Sequence, residues 1–409
     1  MNIGSKVLAD TDRLNVFDLF STENTVLKLL ELADIRINGN RPWDMQVYDN
    51  RLYGAVLAGG SLALGEAYMD GWWEAREVDQ FIHKLLSSGL DGKVPGFPAL
   101  AACLKAKIFN MQSRARAFVV AQRHYDLGND IYRSMLDRQM IYSCGYWENA
   151  DSLQEAQEAK LELVCSKLGL KPGQKVLDIG CGWGGFAKYA AEKYGVRVCG
   201  ITVSKEQFEA SGAACRGLPA EFRLQDYREL REPFDHIVSI GMFEHVGYKN
   251  YREFMKVAGR CLKPRGLFLL HTIGGNRSVN NADPWINKYI FPNGMIPSAK
   301  QLTAAAEGLF VIEDWQNIGI HYDKTLMAWY ENFRANWNSI KHRYDKRFYR
   351  MWKYYLLSSA ASFRARKNQV WQVVFSKRGL LGGYKRTSDR NQLLKMNNPA
   401  PIESFSCFH

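Results

Sequence analysis

From about residue 170 onward, short apolar runs bounded by glycine or polar turns alternate with longer stretches of helical spacing. The runs predict strands over 175–180, 197–203, 221–225, 235–241, 266–273 and 310–318. The stretches between them predict helices over 184–194, 204–216, 249–262 and 298–307. Strands that alternate with helices build a parallel sheet with crossover helices. A last strand, 369–376, follows a long basic helical stretch over 323–366. The expectation is an α/β fold around a mostly parallel sheet of seven strands.

Upstream the pattern changes. Val26, Leu27, Leu29 and Leu30 have helical spacing, and Ile35 to Asn40 alternates and then turns at Asn38-Gly39, a hairpin signal. Arg51 to Ala58 predicts a short helix stopped by Gly59-Gly60, and Val78 to Leu86 a further amphipathic one. The stretch from Gly65 to Glu74 carries Tyr68, Trp72 and Trp73 between glycines and reads as a packing corner. Residues 1–92 are therefore expected to form a smaller, mainly helical N-terminal domain. Gly and Pro are frequent from Gly89 to Pro98, as in a linker. Ser152-Leu153-Gln154-Glu155 has capping-box spacing ahead of a helix to about Leu168. The larger domain is placed at 124–385, with a polar tail at 386–409.

The chain is organised around Val176-Leu177-Asp178-Ile179-Gly180-Cys181-Gly182-Trp183-Gly184-Gly185. A strand that ends in glycines before a helix lets a ligand approach bare backbone amides. The spacing is neither the G-x-G-x-x-G of dinucleotide binders nor the lysine-bearing P-loop. Asp178, at the strand's end, can hold a ligand's ammonium. A cationic amino acid joined to a nucleoside meets both demands, which points to S-adenosylmethionine (SAM).

Ligands of open parallel sheets bind at the carboxyl ends of the strands. The second strand ends at Thr202, Val203 and Ser204, with Gln207 close behind, beside the ribose or the methionine moiety. The third ends at Gln225 and Asp226, and Asp226 is placed to accept from the adenine amino group. The fourth and fifth bring Glu244 and His271 to neighbouring ends, a candidate catalytic pair. His245 suits packing or loop orientation equally well and stays outside this set. The long insertion at 276–297 is rich in aromatic residues and predicts a lid over the substrate. Beyond it Trp329, Tyr330, Phe333, Trp337, Tyr344, Phe348, Tyr349, Trp352, Tyr354 and Tyr355 fit either a core stripe or an apolar substrate tunnel.

Composition narrows the partners. The 409 residues carry a formal charge of +12, which favours an anionic partner. Between Lys93 and Tyr125 there is no acidic residue, while Lys93, Lys105, Lys107, Arg114, Arg116 and Arg123 interleave with apolar positions. A basic linker helix at 93–123 would suit anionic lipid, or would pack on the protein with its basic face in water. No apolar run approaches the roughly 18 residues that span a bilayer. No signal-peptide pattern opens the chain. Eight cysteines lie without metal-ligand spacing, so no metal site is expected and the reading is a cytosolic protein with reduced thiols.

Over about residues 38–378 the sequence resembles the bacterial cyclopropane-fatty-acyl-phospholipid synthases. Tyr68 to Trp73, His124 to Asp130, Tyr142-Ser143-Cys144, Val176 to Gly185 and Gly241 to Gly247 carry the resemblance. So do Leu269 to Gly274, Asp283 to Gly294, Leu326 to Tyr330, Phe363 to Arg366 and Trp371 to Phe375. It implies a class I SAM-dependent methyltransferase domain of the Rossmann-like kind, with Tyr142, Ser143, Gly180, Cys181, Gly182, Trp183 and Gly184 among the cofactor-binding residues. It implies methyl transfer from SAM to a cis double bond of a membrane phospholipid acyl chain, followed by proton loss and ring closure. A bound bicarbonate is the implied base, held by Cys144, Glu244, His271, the Ile273 backbone and Tyr322. The implied partners are unsaturated phospholipids, an anionic membrane surface at its inner face, and a second copy of the chain, with the N-terminal domain aiding lipid binding and pairing. No nucleic-acid motif is present.

One departure stands out. The family often carries a cysteine shortly before Phe363-Arg364-Ala365-Arg366, whereas Leu357-Ser358-Ser359-Ala360-Ala361 has none. Either that cysteine is dispensable or this chain has lost something, and the chemistry above favours the former. The alternatives are a relative that leaves a methyl branch, a small-molecule N-methyltransferase on the same sheet, and a lipid-binding scaffold that has lost catalysis. An amine acceptor brings its own lone pair and needs no carbocation or bicarbonate residues.

Overall fold

A computed structural model describes residues 22–90 and 128–386. The basic segment 93–123, the His124 to Leu127 part of its neighbour and most of the polar tail lie outside those residues. The chain opens with α1 (Thr22–Leu32), β1 (Gln46–Val47), α2 (Arg51–Met69), β2 (Trp73–Glu74) and α3 (Val78–Ser87). After α4 (Asn129–Met135) and α5 (Leu153–Leu168), strands and helices alternate: β3 (Lys175–Ile179), α6 (Gly185–Tyr194), β4 (Arg197–Thr202), α7 (Lys205–Ala214), β5 (Ala220–Leu224) and β6 (His236–Ile240). The chain continues with α8 (Tyr251–Cys261), β7 (Leu267–Gly275), α9 (Pro284–Tyr289), α10 (Ala299–Ala306) and β8 (Val311–Asn317). Two long helices, α11 (Ile320–Ile340) and α12 (Lys346–Arg364), precede β9 (Asn368–Ser376).

The large sheet has the order β5-β4-β3-β6-β7-β9-β8. Its first five strands run parallel, and β9 pairs antiparallel with both β7 and β8. Strand direction explains the two cores, because neighbouring residues face opposite sides of a sheet. Val176, Val238, Leu269 and Val374 pack on α5 and α6. Leu177, Ile237, Leu270 and Val373 pack on α8 and α10. The strand order reverses between β3 and β6, which opens a crevice at their carboxyl ends. This is the mostly parallel, seven-stranded sheet that the apolar runs predict.

Two local expectations are corrected, and a third gains a second helical half. No hairpin forms at Asn38-Gly39. The buried Asp44 carboxylate accepts from the backbone N–H groups of Arg36 and Arg41, both at 2.9 Å, and folds the segment into a loop. The strand pairing of this region is instead β1 with β2. The helix from Arg51 does break at Gly59-Gly60: Gly60, at φ 57° and ψ −135°, is not helical, and a second helical half follows in which Ala67, Tyr68 and Met69 are buried. The stretch 323–366 is two helices, with the Asp345 side chain accepting from Phe348 N at 2.7 Å to start α12.

A third core joins α1–α3 to α11 and α12 through Trp73, Phe81, Tyr132, Trp329, Trp352 and Tyr354. Each buried side chain of Phe size contributes roughly 1.5–3 kcal/mol. A seam of acids on the N-terminal elements meets bases on α12: Asp70 with Arg347 at 2.7 Å, Glu74 with Arg350 at 2.7 Å, and Asp79 with Arg364 at 2.7 Å. Glu66 reaches Lys288 and the Tyr289 hydroxyl, at 2.5 and 2.8 Å.

Candidate active site

The crevice is the mouth of a cavity of about 1150 Å³. At one end the turn after β3 lines it with Asp178, Gly180, Cys181, Gly182 and Trp183. Gly180 sits at φ 86°, and a side chain there would meet Met242. Gly184, at φ 87°, caps α6 and packs against Ser211, so it shapes the turn from behind. Thr202, Gln207, Gln225 and Asp226 continue the wall. Thr202 Oγ1 bonds to Gln207 Oε1 at 2.9 Å, while Ser204 is the N-cap of α7 and stands off the wall. Asp226 caps the turn after β5 and pairs with Arg228 at 2.9 Å, so both its oxygens are engaged. Burial pushes Asp178 up to about 7 against the pull of Lys160.

The segment 139–143 crosses this end. Asp137 accepts from the N–H groups of Gln139 and Ile141, each at 2.9 Å. Gln157 on α5 donates to Ser143 O at 2.8 Å, and Lys160 to Ser143 Oγ at 3.0 Å. Tyr142 and Ser143 thereby form part of the cavity wall, and Tyr142 shares a hydrogen bond with Tyr355 at 2.7 Å.

Further in, Glu244, Ile273 and Tyr322 line the same cavity. Glu244 Oε1 accepts from Ile273 N at 2.6 Å, so this backbone amide faces the carboxylate. Glu244 Oε2 is buried and among the described residues has no hydrogen-bond partner. The carboxyl's remaining surface opens to the cavity, remote from bulk water, and this desolvation pushes it up to about 7. Tyr322 stacks near Phe363, with centroids 4.6 Å apart, and lies in the field of both Cys144 and Glu244. Cys144 and His271 are fully buried behind this wall. The Cys144 thiol donates to Gly145 O at 3.2 Å, and burial drives its pKa up. His271 Nδ1 lies 3.3 Å from Gln372 Nε2, and burial holds the ring well below the usual histidine range.

The insertion at 276–297 covers the cavity. Asp283 caps α9 by accepting from Trp285 N and Ile286 N, at 2.9 and 3.1 Å. Trp285 packs edge-on against Tyr354, with centroids 4.8 Å apart, and against Gly65 of α2. Phe291 faces Tyr355 and His245, with centroids at 5.9 and 5.8 Å. The aromatic stripe does both jobs: Trp329 and Trp352 are core, while Tyr355 lines the cavity beside Ser359 and Phe363.

The family signature "Mycolic acid cyclopropane synthetase" matches residues 112–373. The chain belongs to the mycolic acid cyclopropane synthetase family. Its members include a cyclopropane-fatty-acyl-phospholipid synthase of Escherichia coli (strain K12), 53% identical over 359 residues, which are 88% of this chain and 94% of the relative. Cyclopropane mycolic acid synthase 1 of Mycobacterium tuberculosis (strain H37Rv) is 38% identical over 269 residues, 60% of this chain and 93% of its own. A solved cyclopropane synthase from Mycobacterium tuberculosis matches with a TM-score of 0.60 at 34% identity, over 64% of this chain and 98% of that one. A coclaurine N-methyltransferase shares the fold, with a TM-score of 0.64 at 24% identity, over 77% and 99% of the two chains. Membership makes this chain a class I SAM-dependent methyltransferase.

Two cavity residues escape a reading from sequence. His245 lines the wall and burial lowers it to about 4, so it is a neutral ring facing Phe291. Lys160 is fully buried on α5. Its one sequence signal is its place beside Ala156, Gln157 and Leu161 on the helix's inner face.

Proposed function

We propose that this chain moves the SAM methyl to a cis double bond of a phospholipid acyl chain and closes a cyclopropane ring. The observation that carries this is Glu244. A carboxyl with one orphaned oxygen lies between the cofactor end of the cavity and its aromatic end, in a chain so similar to a cyclopropane-fatty-acyl-phospholipid synthase. An alkene is a weak nucleophile, so alignment in a dry site matters more than activation of the acceptor. The π pair forms the new C–C bond as the S–CH3 bond breaks toward sulfur. The cation left on the acyl chain lies among Tyr322, Tyr355 and Phe363, whose ring faces attract positive charge. A C–H bond of the transferred methyl then gives its pair to close the ring, and the proton leaves.

Bicarbonate, when bound, supplies the base for that proton. The orphaned Glu244 Oε2 fits an ion that brings an O–H donor. Tyr322, which lines the same cavity, could donate to the ion, while Cys144 and His271 are buried and do not line it. The Ile273 N–H already serves Glu244, so it supports the ion through that carboxyl.

The lipid sits in a bilayer, so the reading places the protein peripherally on an anionic inner membrane face, with α1–α3 and the basic segment 93–123 aiding attachment and pairing of two copies. Among the described residues no helix is long and apolar enough to cross a membrane. The test is purified protein with SAM and unsaturated phospholipid vesicles, with and without bicarbonate, beside Glu244→Ala. A gain of one CH2 with loss of the double bond, weakened in the variant and without bicarbonate, is expected. Unmodified lipid despite SAM binding would defeat the reading.

A further inference from the structure

Lys160 is a charged side chain with no exposure, on the wall of the cofactor end. Such burial is costly unless the charge has a use. Its ammonium is donor-only, and among the described residues Ser143 Oγ, at 3.0 Å, is its one hydrogen-bond acceptor. Two of its three N–H groups are left for something else. The bond also fixes the polarity of Ser143. A hydroxyl that accepts from lysine has its own proton free, and must donate it elsewhere. One turn earlier on α5, Gln157 holds the Ser143 carbonyl at 2.8 Å, so the helix fixes both the position and the polarity of this residue.

Asp178, at the close of β3, lines the same cavity. The two groups feel each other's charge. A positive group with an outward hydroxyl and a carboxylate together complement a zwitterion. The amino-acid end of SAM is one.

We propose that Lys160 is a positioning residue for the cofactor's carboxylate, acting through the Ser143 hydroxyl that it polarises, while Asp178 takes the cofactor's ammonium. The inference rests on SAM as the methyl donor and is independent of the lipid and of bicarbonate. Other titratable groups also act on Lys160: Asp137 and Cys144 from either side of the segment 139–143, and His271 from β7. Burial lowers Lys160 to about 8, with Asp137, Cys144 and Asp178 opposing that fall. A bound carboxylate favours the charged lysine. The affinity for a carboxylate-bearing ligand should therefore fall as pH rises through about 8.

The experiment measures binding of S-adenosylhomocysteine (SAH) and of its decarboxylated analogue, which keeps nucleoside and ammonium, by calorimetry. Wild type, Lys160→Met and Ser143→Ala are compared between pH 6 and 9. A charge-assisted hydrogen bond corresponds to roughly ten- to a hundredfold in affinity. Lys160→Met should lose about that much for SAH and little for the analogue, and should lose the alkaline fall. Ser143→Ala should show the same ligand split, which keeps the idea testable if the lysine variant fails to fold. Equal weakening of both ligands would reduce Lys160 to a packing role and overturn the inference, as would no change. Wild type that binds neither ligand would instead remove the SAM assignment on which it rests.

Discussion

Glu244→Gln separates what the site does from what it costs the fold. The carboxyl has an ordinary value of 4.5 and is pushed up to about 7 in the folded chain by desolvation. An acid whose pKa is raised by folding penalises the folded state once pH exceeds 4.5, and the penalty is complete above about 7. At 1.36 kcal/mol per pH unit the full penalty is on the order of 3 kcal/mol, and its growth from pH 5 to pH 8 is about 2.5 kcal/mol. Glutamine cannot ionise, so it escapes this term at both pH values. Its amide can keep the bond from Ile273 N through its oxygen, at a pH-independent cost for the NH2 at the orphaned position. The stability of Glu244→Gln relative to wild type should thus improve by about 2.5 kcal/mol between pH 5 and pH 8, read from urea unfolding at each pH. Over the same change kcat on unsaturated phospholipid should drop by roughly 10²–10⁴, the size of a lost general base, because the residue that holds the base is altered. A stability difference equal at the two pH values would refute the desolvated carboxyl. An unchanged kcat would refute its place in the chemistry.

Other outcomes follow from the packing. Gly65→Ala pushes a methyl into the Trp285 ring, so the lid should lift, with a lower Tm and a higher KM for lipid but unchanged SAH affinity. Arg364→Met strands the carboxylates of Asp79 and Asp323 and should cost on the order of 3 kcal/mol in urea unfolding, with α1–α3 cut earlier by protease. Gly180→Ala is strained at φ 86° and meets Met242, so calorimetry should show SAH binding lost while the fold persists by circular dichroism.

The centre of the sheet was legible because its inner strands are buried on both faces and read as apolar runs, such as Ile237-Val238 and Leu267 to Leu270. Local breaks were only partly so. The Asn38-Gly39 hairpin was lost to Asp44, whose carboxylate gathers the amides of Arg36 and Arg41, while the break at Gly60 falls where the glycine pair predicts it. In the site, Asp178, Glu244 and the glycine turn could be found because strand ends collect ligands. Lys160 could not, since a lysine in a helix reads as solvated until Ser143 and Asp178 are folded against it. His245 depended on Phe291 of the insertion, about 45 residues away in sequence.

Ring closure is the central claim, and the fate of the methyl hydrogens tests it most directly. SAM carrying a trideuterated methyl is supplied with vesicles of cis-unsaturated phospholipid, and the acyl products are weighed. Ring closure by proton loss predicts a product that keeps two of the three deuteriums and has no double bond. A product that keeps all three, as a methyl branch formed by loss of a chain proton with a double bond retained would, contradicts the claim.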